Sequence, residues 1–233
     1  MPIWSTGAIA RLRRHAPHNR YNGSFWKVRC LLFGFSARSV ISMVESSESR
    51  NIMQHNLQDT ISLLARTPAA LDALLRDLPE MWTTSNEGEN TWSPFDVLRH
   101  LIYAERADWI PRVKMVLQFG ESRAFVPFDR AGCERESKSN SLGQSLDEFA
   151  RIRSNNLDEL RALNLRPEDL DRRGRHPAFG PVTLSALLAT WAAHDLTHLH
   201  QISRVMAHQY RDAVGPWSIY LGVLQCAGHS SAA

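Results

Sequence analysis

The sequence predicts an all-α protein: an up-and-down four-helix bundle, with room for a crossover in its topology, behind a poorly ordered N-terminal extension. Three observations predict it. Apolar residues recur at steps of three and four in four separate stretches, the period of one buried helix face. Serines opening two of those stretches stand where helix caps stand. No stretch carries a serious strand signal. Four helices of such length, joined by loops, pack as a bundle around one shared core.

Residues 1–53 are read apart from the rest. Residues 1–50 hold eight Lys and Arg against two Glu, which leaves 19 basic and 22 acidic residues beyond them. The basic pI of about 9.0 therefore belongs to the extension, and no nucleic-acid partner is expected of the body. The segment is Arg-rich, has no acid before Glu45 and no sustained period. It reads either as a targeting segment or as sequence upstream of a natural start at Met43 or Met53. The second reading is preferred, because periodicity begins only after Met53; the folded domain is expected over residues 54–228.

Cys30, Cys133 and Cys226 are odd in number, far apart and without a CxxC pair. They exclude a disulfide framework and a cysteine zinc site, and fit a reducing, cytoplasmic setting. No run reaches the roughly 18 uninterrupted apolar residues of a membrane span.

The first bundle helix is expected from residue 56, with Leu57, Ile61, Leu64, Pro68, Leu71, Leu75 and Leu78 on one face. Pro68 should kink or restart it, since proline suits a first helical turn. A polar loop, TTSNEGENT, follows. In WSPFDVLRHLIYAERADWI, Ser93 is the expected N-cap, Pro94 takes the first helical position, and Asp96 completes a variant capping box. The stretch from Phe119 to Gln144 has no period and reads as a long loop. The third helix is expected to open at Ser145, with Glu148 in capping-box register and Phe149, Ile152, Leu157, Leu160 and Leu163 buried. RPEDLDRRGRHPAFGPV reads as a turn-rich connector. A last long helix spans about Thr183 to Tyr210, and GPWSIYLGVLQCA closes the chain with a short helix.

That last helix raises the chemical question. Its inward stripe runs Leu184, Leu187, Leu188, Trp191, His194, His198, Ile202 and Val205 or Met206. His194 and His198 thus sit one turn apart on the seam, where two imidazoles can converge on one ion. His200 points elsewhere and is read as a bystander. Spacing alone leaves two readings, a pair of core-edge histidines satisfied by hydrogen bonds or part of a metal site. Burying two unpaired imidazoles costs desolvation that a shared cation relieves.

A third donor is available on the second helix, where His100 lies within the stripe Val97, Leu101, Ala104 and Asp108. Three neutral imidazoles suit zinc, nickel, iron or copper over calcium or magnesium, and three protein ligands leave a position open. Asp108 and Asp195 are candidates for orienting an imidazole, but are expected to be solvated helix charges. His176 is expected to structure a turn, and His55 and His208 to lie on the surface. Arg153 falls near the apolar face of the third helix; it is expected to snorkel at the helix edge rather than meet an acidic substrate group.

These residues resemble a known family. TWSPFDVLRHLIYAE, followed much later by HPAFGPVTLSALLATWAAHDLTHLHQI, is similar to the DinB/YfiT-like superfamily of metal-binding four-helix bundles, over roughly Gln54 to the C-terminus. The specific part is W-S-x-x-x-x-L-x-H opening one helix and H-x-x-x-H-x-x-Q-I in the last. The resemblance implies His100, His194 and His198 as metal ligands, with Gln201 and Ile202 completing the pattern, and zinc or nickel as the metal. It implies an enzyme that activates a low-molecular-weight thiol (an S-transferase or isomerase) or water (a hydrolase) toward a small-molecule substrate. Homodimers are common among similar proteins. The alternative from a different class is a non-catalytic metal-binding bundle of the stress or damage response.

Overall fold

Prolines decide where the first two arms of the bundle break. The computed structural model describes residues 54–129, 132 and 140–226. The expectations for residues 1–53, and for the part of the long loop at 130, 131 and 133–139, lie outside the described residues. The first arm comprises α1 (Leu57–Leu64) and α2 (Thr67–Leu75). Pro68 offers no N–H to the carbonyl of Leu64, four residues back, and its ring crowds that oxygen. Accordingly α1 ends at Leu64, and Pro68 sits in the first turn of a restarted helix. The second arm repeats the device as α4 (Pro94–Ala107) and α5 (Trp109–Phe119). Here Pro111 denies a donor to Ala107, the last residue of α4.

Between the arms, α3 (Glu80–Thr84) is a single short turn, so the two threonines read as the start of a polar loop belong to a helix. Ser93 caps α4 as expected, with both halves of the box formed: its hydroxyl accepts from the Asp96 N–H, and its own N–H donates to the Asp96 carboxylate. The third arm, α6 (Leu142–Ala162), starts one turn earlier than expected. Ser141 and Gln144 form its capping box, and Ser145 is buried inside the helix. The earlier start brings Leu142 against the core, next to buried Leu146.

The connector before the last arm holds a structure the sequence reading did not expect, the hairpin β1 (Arg173–His176) and β2 (Gly180–Thr183). Only Gly174 of its eight residues is buried, so no alternating apolar pattern announces it. A Cβ on Gly174 would lie 2.6 Å from Phe125 and 2.7 Å from Val116, so only glycine lets β1 lie against α5. The last arm, α7 (Leu184–His208), is capped by Thr183. After it come a 3-10 segment, Gly215–Tyr220, and α8 (Gly222–Gln225).

The main packing pairs are α4 with α6 and α7, α1 with α7, and α2 with α6. The first arm therefore packs on the third and fourth rather than on the second, while the second and third pack closely, and the bundle takes the crossover rather than the simple up-and-down order. Two apolar clusters fill it. One gathers Leu64, Trp109, Val113, Leu160, Leu188 and Trp191; the other gathers Leu71, Leu75, Leu101, Phe149 and Ile202. Along the arms, Thr67, Arg153 and Asp195 fall between the residues of the two clusters, which places a polar layer across the middle of the bundle.

Candidate metal centre

The polar layer is built around Arg153, whose side chain is 1 % exposed. Its Nη1 donates to Asp195 Oδ2 at 2.6 Å and to the Leu64 carbonyl at 2.8 Å. That carbonyl is the one Pro68 deprives of a helical donor, so the proline break and the buried arginine answer one another. Its Nη2 donates to Glu105 Oε1 at 2.8 Å and Asp195 Oδ1 at 3.0 Å. Trp191 Nε1 and Asn156 Nδ2 donate to the two Glu105 oxygens, and the Thr67 hydroxyl donates to Asp195 Oδ2. Burial works against the Arg153 cation, and Glu105 and Asp195 more than reverse it, so its pKa is raised. The expectations for Arg153 and Asp195 are thus corrected: neither snorkels nor meets solvent. Asp108 is corrected likewise, being buried and paired with Arg112 at 2.7 Å. Burial pushes the Asp108 carboxyl up, and Arg112 partly offsets the rise.

Beside this layer stand the histidines. His100 projects from α4, and His194 and His198 from consecutive turns of α7. His194 Nε2 lies 3.2 Å from His100 Nε2 and 3.1 Å from His198 Nε2. All three donor atoms fall within 4.8 Å of one another, with His100 and His198 buried and His194 half-buried. In a tetrahedral site with metal–nitrogen bonds of about 2.0–2.1 Å, neighbouring ligand nitrogens stand about 3.3 Å apart. The two spacings to His194 are close to that edge length.

Protonation state points the same way. Gln201 Oε1 lies 2.8 Å from His198 Nδ1. An amide oxygen only accepts, so Nδ1 carries the proton and Nε2 keeps its lone pair turned to the cluster. Burial first, then the neighbouring His198, His100 and Arg153, push His194 down to about 2. Burial also lowers His198, partly offset by Gln201 and Asp195. His194 and His198 are therefore neutral at neutral pH and need lose no proton to bind a cation. One shared proton could serve only one of the two short nitrogen–nitrogen contacts, whereas a divalent cation serves all three nitrogens. The donor set fits a zinc-like ion.

Around the imidazoles the surroundings are aromatic. On the interior side, buried Trp109 meets His194 edge to face at 5.1 Å and stacks on Trp191 at 5.8 Å. On the outer side, half-buried Trp92 lies 4.9 Å from the His100 ring and 6.4 Å from the His198 ring. Phe128 meets His100 at 5.8 Å and Tyr103 at 5.3 Å.

The remaining histidines behave variously. His200 is exposed and outside the cluster, as expected. His176 structures the hairpin turn, its Nδ1 accepting from the N–H groups of Ala178 and Phe179. His55 is half-buried and hydrogen-bonded to Thr60, not a plain surface residue, and His208 is half-buried beside Arg211. The residues that sequence reasoning missed are Trp92 and Trp109. Trp92 had a signal, since it stands directly before the Ser93 cap in the quoted motif.

Residues 63–202 match the profile of the DinB superfamily. The solved structure of YfiT from Bacillus subtilis, described as a probable metal-dependent hydrolase with an unusual four-helix bundle topology, is similar at a TM-score of 0.58 and 22% identity. The match covers 72% of this chain and 94% of that one. TT2238, a four-helix bundle protein, is similar at a TM-score of 0.44 and 22% identity, over 64% of this chain and 98% of that one. No curated protein matches the chain. Among the described residues, no helix is long and apolar enough to cross a membrane.

Proposed function

The chain belongs to the DinB superfamily, and on that premise we propose that it is a divalent-metal-dependent enzyme acting on a small molecule through an activated water or low-molecular-weight thiol. His100, His194 and His198 hold the cation, zinc or nickel. The observation that carries the reading is the convergence of three Nε2 atoms at 3.1–3.2 Å contacts on the half-buried His194. When bound, the cation acts as a Lewis acid that lowers the pKa of a coordinated water or thiol toward neutrality.

The chain's own residues set the conditions for that chemistry. Gln201 fixes the tautomer and orientation of His198. Arg153 engages the carboxylates of Asp195 and Glu105, which keeps both from closing the coordination sphere. Three imidazoles with no fourth side-chain donor among the described residues is the ligand count of a catalytic site, where one position stays open. Trp109 and Trp191 close the interior side against water. The hydrolase arm agrees with the description of YfiT, and the thiol arm with the family resemblance.

The test assays metal-stripped and zinc- or nickel-reloaded protein against activated esters, and against electrophiles in the presence of cellular thiols. The proposal expects turnover that depends on added metal and vanishes in His100→Ala. X-ray absorption showing four protein donors, with no room for an added thiol or water, would sink it.

A further inference from the structure

The ring contacts around the histidines differ in kind on the two sides. Trp109 and Trp191 are buried, stacked nearly parallel at 8°, and belong to the apolar core. Trp92, Tyr103 and Phe128 are all half-buried. Trp92 meets the buried rings of both His100 and His198, Phe128 meets His100, and Tyr103 meets Phe128. Because Trp92 and Phe128 are partly exposed and Trp109 is buried, a molecule approaching the three nitrogens would meet the first two rings before the third.

Both outer walls are held in place by backbone structure. Trp92 directly precedes the Ser93 cap, whose box with Asp96 fixes the chain where it enters α4. Phe128 follows buried Phe125 by three residues, and the Phe125 N–H donates to the Arg175 carbonyl of β1 at 2.8 Å. The charges on α4 are already engaged: Arg99 with Asp96, Glu105 with Arg153, Arg106 with Glu148. What the described residues of the rim offer a ligand is ring surface.

We infer that Trp92 and Phe128 form an aromatic clamp at the mouth of the three-histidine site, selecting ligands that carry a planar apolar group beside the atom that reaches the histidines. The clamp rests on the metal-site reading above and adds to it a substrate class, aryl-bearing rather than small and polar. Aromatic rings meet another ring by edge-to-face or offset contact, and each such pair adds free energy beyond simple burial. Two walls then give a preference of about tenfold for an aryl group over a polar one of similar reach.

The experiment loads the full chain with cobalt(II) and titrates it with phenylmethanethiol and with 2-mercaptoethanol, two thiols of similar acidity. Binding is read from the thiolate-to-cobalt absorption, and cobalt content is measured alongside. The clamp predicts about tenfold tighter binding of phenylmethanethiol. In Phe128→Ala and in Trp92→Ala the preference should fall to about threefold or less, with cobalt content unchanged. Phe128 lies outside every helix, so its variant is expected to fold, and the wild-type comparison needs no variant at all. Equal affinities at full cobalt loading overturn the clamp and leave the metal site standing. A preference that survives both substitutions also overturns the clamp. Failure of the wild-type chain to bind cobalt overturns both.

Discussion

Two buried polar constellations lie side by side in this bundle, reached from neighbouring residues of one helix, His194 and Asp195. Around Asp195, the opposite charges are paired and only the Arg153 Nε is buried without a hydrogen-bond partner. Arg153 spends four hydrogen bonds on Asp195, Glu105 and the Leu64 carbonyl, while Thr67, Trp191 and Asn156 serve the remaining carboxylate positions. Around His194, three imidazole nitrogens converge, and its Nδ1 is buried without a hydrogen-bond partner. The first cluster pairs its charges within the chain. The second brings three imidazole nitrogens together with no acid among them, the arrangement that the proposed cation would complete. Buried polarity that closes on itself holds the four arms together, and buried polarity that does not is where chemistry enters.

The comparison breaks most visibly at Arg153. Arg153→Met should strand two buried carboxylates, at a cost of about 3–5 kcal/mol, seen as a lower midpoint in urea unfolding. The variant that does fold should still bind metal. Loss of metal with full stability would mean that the two clusters are one. Next in size is Gln201→Leu, which frees the His198 ring and should weaken metal affinity by about 10–100-fold, measured by competition with a chromogenic chelator. Stability of the metal-free chain should change little.

A smaller effect separates the clusters by pH. His194 and His198 have lowered pKa values in the folded chain. Below the ordinary histidine value of about 6.5, the unfolded chain therefore binds protons that the folded chain refuses. Metal-free protein should lose stability as pH falls from 7.5 to 5.5, at up to about 1.4 kcal/mol per pH unit for each imidazole. His194→Ala should flatten that slope; an unchanged slope in thermal melts would contradict the neutral cluster. Smallest is Ser93→Ala, about 1 kcal/mol from the lost cap, which should also loosen Trp92 and appear as a shift in tryptophan emission.

The same comparison explains what the sequence made legible. Ligand spacing is local: His194 and His198 are one helical turn apart, and His100 follows from its place on an apolar stripe that must face them. The α4 cap and the Pro68 break are local too, because each depends on residues within four positions. The Arg153 layer is long-range, with partners 42, 48 and 89 residues away. A charged residue on an amphipathic face looks the same whether it meets solvent or a buried counterpart. The start of α6 was ambiguous for another reason, since Ser141 and Ser145 each have a box partner three residues on, and burial of Leu142 favours the first. The hairpin hides because seven of its eight residues are not buried.

The central claim is that the three histidines hold one divalent cation. Its most direct test is the metal content of purified, zinc-reloaded protein by mass spectrometry, wild type beside the double variant His194→Ala, His198→Ala. The account predicts about one metal per chain in the wild type, the single three-imidazole site binding a single ion, and none retained by the double variant. Full metal in a folded double variant would contradict it.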